Sequence, residues 1–305
     1  MSISPSDTRF AIVAETVAGT TPTTPVFQVF PFIQGTEPAL VSDVVTSEVV
    51  RANRSSEGQR KTNFRVEGGL SSQLRRGAVF DLLLQSALSG TWVTNNLNAG
   101  NTDTSFTVEK TMFAGATPFF HRFVGCQVSS MNISVSAEST CDVSFDIMGL
   151  DRTTATTIVT GATYTQPTAT LPLTGLDITN VTVAGLTAVC RSIDFTVEHE
   201  REAHDQLGAA SALRIGTGGI RSVTATMTFY RTDLSPDTLL AKSDTPVAVA
   251  FNLGSGANGY RIEMPAANYN VPADEVDGSK QLFTVEFRAA FDSVLGTDLR
   301  ISRLV

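Results

Sequence analysis

The constraint that matters most is that this chain runs through one order of elements twice. From about Asn53 to Asp151 it reads basic loop, strand, short apolar helix, then strands closing on DVSFDIMGLD (Asp142–Asp151). From about Ala188 to Ser293 a similar order recurs: polar loop, strand SVTATMTFY (Ser222–Tyr230), short helix, then strands closing on LFTVEFRAAFD (Leu282–Asp292). Two diverged copies of a β-rich unit in one polypeptide favour quasi-symmetric assembly over catalysis. A ring that needs six units could be built from three such chains.

A chain of 305 residues has room for two ordinary domains. Its apolar fraction of 42% and charged fraction of 17% suit packed domains, and its Thr-, Ser-, Val-, Ala- and Gly-rich mixture suits short strands and tight turns. The net charge of −8 argues against wrapping nucleic acid, which requires clustered Lys and Arg to neutralise phosphates. No run approaches the length of a membrane-spanning helix. The opening MSISPSDTRFAIVAE has no basic start, apolar core or cleavage site, so a cytoplasmic location is the expectation. Cys126, Cys141 and Cys190 lack metal-like spacing. A Cys126–Cys141 bridge is geometrically conceivable, but free thiols are the preferred reading in a reducing compartment.

Residues 1–34 read as an extended arm with one apolar strand, Phe10–Ala14, punctuated by Pro5, Pro22, Pro25 and Pro31. A first unit is expected over 35–150, a Thr/Ala-rich connector over 151–184 with short strands such as Thr156–Val159 and Val181–Val183, and a second unit over 185–305. Between Arg51 and Arg76 the chain concentrates Arg51, Arg54, Arg60, Lys61, Arg65, Arg75 and Arg76 against its acidic background. Lacking interleaved aromatics, this run reads as a self-association loop rather than a nucleic-acid patch. Phe80, Leu83, Leu84, Ala87 and Leu88 share one helical face, and Gly90 supplies a stop. Strict alternation in CDVSFDIMG and RSIDFTVEHE predicts strands with a packed face and a wet one. The wet face carries Ser, Thr, Asp and Glu. Ser235-Pro236-Asp237 opens a second short helix.

Motifs that could carry chemistry are weak. GSGANG (Gly254–Gly259) fits a nucleotide-binding glycine pattern, but YRIEMP after it is a strand, so a hairpin turn is expected. HEREAH (His199–His204) places its histidines five apart, wrong for a zinc helix, and reads as a solvated charged loop. No nucleophile elbow, Cys/His pair or phosphate-binding loop occurs, so no catalytic residue, cofactor or metal is assigned.

The chain resembles the major tail tube proteins of long-tailed, siphovirus-like bacteriophages. The resemblance rests on AETVAGTTPTTPVFQVFPF (Ala14–Phe32), on SDVVTSEVVRANRSSEGQRKTNFRVEGGLSSQL followed by FDLLLQSALSGTW, on FHRFVGCQVSSMNISVS, and on the terminal FDSVLGTDLRISR. It implies a mainly β fold: two tandem β-sandwich or open-barrel units, each with one short flanking helix. It also implies a structural virion protein of the tail, polymerised into stacked rings through which DNA passes at ejection without specific binding. The partners implied are other copies of the chain (trimeric pseudo-sixfold rings first, hexameric second), tail terminator and tail tip proteins, and a tape measure protein during assembly. Arg51, Arg54, Arg60 and Lys61 are candidates for ring-to-ring contact, and Asp142, Asp146, Glu198 and Glu286 for the lumen. The rival readings are an adhesive or carbohydrate-binding β-sandwich, which one Trp and four Tyr serve poorly, and a β-rich hydrolase, for which no acid pair or triad assembles.

Overall fold

Long runs of alternating apolar and polar residues make strands, and strands dominate the computed structural model, which describes residues 4–115, 117–167, 170–183, 186, 189–240 and 243–305. The first half supplies β1 (Thr8–Ala14), β2 (Val26–Phe30), β3 (Ala39–Thr46), β4 (Gln59–Gln73), helix α1 (Ala78–Leu88), the small hairpin β5 (Trp92–Val93) and β6 (Asn96–Asn98), β7 (Phe106–Ala114), β8 (Thr117–Ser136), β9 (Asp142–Gly149) and β10 (Asp151–Ala155). The connector adds β11 (Thr163–Thr165) and β12 (Ile178–Val183). The second half supplies β13 (Cys190–His204), β14 (Arg214–Tyr230), the short α2 (Ser235–Leu239), β15 (Val247–Leu253), β16 (Tyr260–Tyr269), β17 (Ala273–Asp277), β18 (Lys280–Ala289) and β19 (Arg300–Arg303).

Six antiparallel pairings of the first half have counterparts in the second. β3·β4, β4·β9, β8·β9, β7·β8, β1·β7 and β8·β10 in the first half match β13·β14, β14·β18, β16·β18, β15·β16, β12·β15 and β16·β19 in the second. Each half therefore has a large sheet built on a long hairpin and a smaller one behind it. β8 runs through both sheets of its half, passing from one to the other at Gly125. There φ is +64°, and a Cβ would sit 2.6 Å from Leu150. Two ladders join the halves: in the longer, Ser130–Ser136 of β8 pairs with Ser192–Glu198 of β13, and in the shorter Asn96–Asn98 of β6 pairs with Arg300–Ser302 of β19. The main sheet thus runs β3–β4–β9–β8–β13–β14–β18, with β16 and β17 on the far side of β18.

The core lies on one face of that sheet. Met131, Phe145, Phe195, Met227 and Val285 are all closed off, and α1 lies over the same face. The predicted helical stripe Phe80, Leu83, Leu84, Ala87 and Leu88 is buried as expected. GSGANG is the turn between β15 and β16. Several expectations change. The expected strand Phe10–Ala14 forms as β1, but it is no free arm: it inserts between β2 and β7, with Phe10, Ala11 and Ile12 fully buried, because both of its faces are apolar enough to be covered. Thr156–Val159 forms no strand; the strand there comes earlier, at Asp151–Ala155. The unit boundary at 184–185 falls outside the described residues.

Candidate functional site

The outer face of the main sheet is where the sequence placed its lumen candidates, and all four lie on it in two transverse rows. In one row Gln73, Asp142, Ser134, Asp194, Thr226 and Glu286 are successive cross-strand neighbours. In another, Gly69, Asp146, Ser130, Glu198 and Ser222 are. Between them runs a row of Ser71, Ser144, Asn132, Thr196, Thr224 and Arg288. The rows carry five carboxylates (Asp142, Asp146, Asp194, Glu198, Glu286) and one guanidinium (Arg288) among short hydroxyl and amide side chains. Such a face carries negative potential and presents a single cation, Arg288, that could neutralise a phosphate. Asp194 was not singled out from the sequence, although its place in the alternation Asp194, Thr196, Glu198 puts it on this face.

The basic candidates lie elsewhere. Arg51 and Arg54 sit in the loop between β3 and β4, with Arg60 and Lys61 just inside β4, and all four are exposed. Arg51 is paired with Glu57 at 3.1 Å, an exposed pair of small energetic consequence. The stem below is tied by Arg65, which reaches Asp43 at 3.0 Å and Glu67 at 2.6 Å. The Arg65 bond, with a second from Asn63 Nδ2, holds the Asp43 carboxyl below its ordinary value.

HEREAH is not the solvated loop expected. The segment continues β13, so Glu198, Glu200 and Glu202 face outward while His199 and Arg201 face inward. The period-two pattern of RSIDFTVE simply carries on, and that was the legible signal. Arg201 donates to Asp103, Gln127 and Thr217 at 2.6 Å each, and reaches Ser89 Oγ at 3.1 Å and the Val128 carbonyl at 3.2 Å. It thereby binds the second half to the C-terminal end of α1 and to β8. His199 Nε2 donates to the Ala87 carbonyl at 2.6 Å, and burial together with neighbouring Arg201 pushes its pKa down to about 4. Beside them is a polar cavity of about 440 Å³ whose lining includes His199, His204, Arg214 and Arg221. Arg221 is engaged with Asp298 and the Gly100 carbonyl. Among the described residues no three His, Cys, Asp or Glu side chains converge as metal ligands. All three cysteines are free. Burial pushes the Cys141 and Cys190 thiols up to about 12 and Cys126 higher still, so their thiolate fractions at neutral pH are negligible.

A family model described as phage tail tube protein matches residues 5–289. None of the curated proteins matches the chain.

Proposed function

The chain belongs to the phage tail tube protein family, and from that premise we propose that it polymerises into stacked rings whose bore conducts DNA at ejection. The observation that carries this reading is the family match over nearly the whole chain. The chemistry of the outer sheet face supports it. A conduit for a polyanion must hold back from its cargo, since each phosphate neutralised by a wall cation strengthens binding and slows passage. The rows built on Asp142, Asp146, Asp194, Glu198 and Glu286 meet that requirement and are the proposed lumen.

Two tandem units per chain are part of the proposal, and the matched pairings of the halves support them, with β1 and β10 joined to the first unit and β12 to the second. Three chains then give a ring of six units. The exposed end of the β3/β4 hairpin, with Arg51, Arg54, Arg60 and Lys61, is the proposed ring-to-ring contact, and terminator, tip and tape measure proteins are the expected companions at the tube's ends and interior. Negative-stain microscopy of the purified chain tests this. Rings or hollow rods are expected; a protein that stays dispersed as single subunits at high concentration would overturn the assignment.

A further inference from the structure

The β8–β13 ladder, the longer of the two that join the halves inside one chain, is a template for how one chain joins the next. The main sheet has two outer margins, β3 at one end and β17 at the other, and each is paired on one side only among the described residues. All five residues of β17 are exposed.

The matched ladders fix which residues are equivalent. Val128 faces Ile147 and Asn132 faces Ser144 in the first half. Tyr269 faces Phe287 and Ala273 faces Thr284 in the second. In both, the outer strand spends one more residue than its partner between those points, so Ala273 holds the place of Asn132 and β17 continues the line of β16 as the end of β8 does. On the other margin, Ala39 faces Glu67, which faces Met148. Thr196 faces Thr224, which faces Arg288. Ala39 therefore holds the place of Thr196. Within the chain Asn132 is opposite Thr196, and its Nδ2 donates to Thr196 Oγ1 at 3.0 Å.

We infer that Ala39 of one copy lies opposite Ala273 of the next, in an antiparallel seam that repeats the register of the internal one. This rests on the ring-forming function proposed above. The occupant of each margin is the other margin of a second copy, a head-to-tail contact that closes into a ring or runs on as a filament. The two seams differ in strength. The Ala137 N–H bonds to the Arg191 carbonyl, so counting along that ladder makes Val197–Met131 and Phe195–Ile133 bonded pairs. Their equivalents between chains, Leu40–Pro272 and Pro38–Asp274, each contain a proline and keep one bond of two. Prolines with the missing N–H facing outward are how edge strands avoid indiscriminate pairing. Glu37, which would face Glu275 across the seam, is already held by Lys110.

The test uses the full chain in a Cys190→Ser background, oxidised under assembling conditions and imaged in parallel. The Ala39→Cys/Ala273→Cys double variant should give covalent products between chains, ending at three chains as the largest species, while either single variant gives none. Asn132→Cys/Thr196→Cys should close within one chain and show that cross-links form at this geometry. Rings that yield no product from Ala39→Cys/Ala273→Cys, or cross-link through Ala39→Cys/Glu275→Cys instead, overturn the seam and leave the tube function standing. Failure to form rings in unsubstituted protein overturns both.

Discussion

The two long hairpins of the molecule share a ladder and differ in what lies against them. In the second, β13/β14, His199, Arg201, Ala212 and Ile215 are all buried. Its tip rests on the first half, where the Phe64 N–H donates to the Ala210 carbonyl at 2.8 Å. In the first, β3/β4, Val44, Val45, Val49 and Val50 are between 49% and 90% exposed, and arginines crowd the tip. The second hairpin has a neighbour because the chain provides one: the first half, with α1 and β8. The first has no preceding half to lean on. The contrast teaches that a strand pattern can be complete within a subunit while the burial of its apolar residues is not.

The widest gap between the hairpins should appear at Arg201. Arg201→Ala strips partners from Asp103, Gln127 and the Ser86–Ser89 turn, and should cost about 3–5 kcal/mol in chemical denaturation. An equal stability for this variant would mean that the second hairpin is not anchored as described. Next is pH. His199 is neutral in the fold and titrates near its ordinary value of 6.5 once unfolded, so its contribution is complete above that pH. As pH falls from 6.5 toward 4 the unfolded chain takes up the proton first, and up to about 3 kcal/mol is lost. His199→Gln should flatten that part of the stability profile relative to the unsubstituted chain; parallel profiles would refute the role. The smallest effect on the subunit belongs to the first hairpin. Arg51→Glu/Arg54→Glu/Arg60→Glu should leave the denaturation midpoint where it was and stop rods from growing, with single rings persisting in micrographs. Rods of ordinary length from that variant would remove the loop from the ring-to-ring contact.

Much of the strand content was legible because alternation is a local property. Val143, Phe145 and Ile147 against Asp142, Ser144 and Asp146 can face only two ways, and the same holds for Ile193, Phe195 and Val197. The apolar stripe of α1 was legible for the same reason. HEREAH was misread because its charged inward residues look solvent-seeking until the partners of Arg201 are known. Those partners lie 74 and 98 residues away in Gln127 and Asp103. The burial of the N-terminal stretch was likewise hidden, since nothing near Phe10 announces β7 as its neighbour.

The sequence by itself determined the β character, the single real helix of the first half, the acidic wet face and the recurring order of elements, because each is written in residue spacing and charge. Only the tertiary structure decided that Asp142 and Glu286 share one row, that Arg201 locks the halves together, and which two strands are left at the margins. Those depend on ladders between residues far apart in the chain. A ladder's register is set by which faces can be buried together, and no local stretch contains both faces.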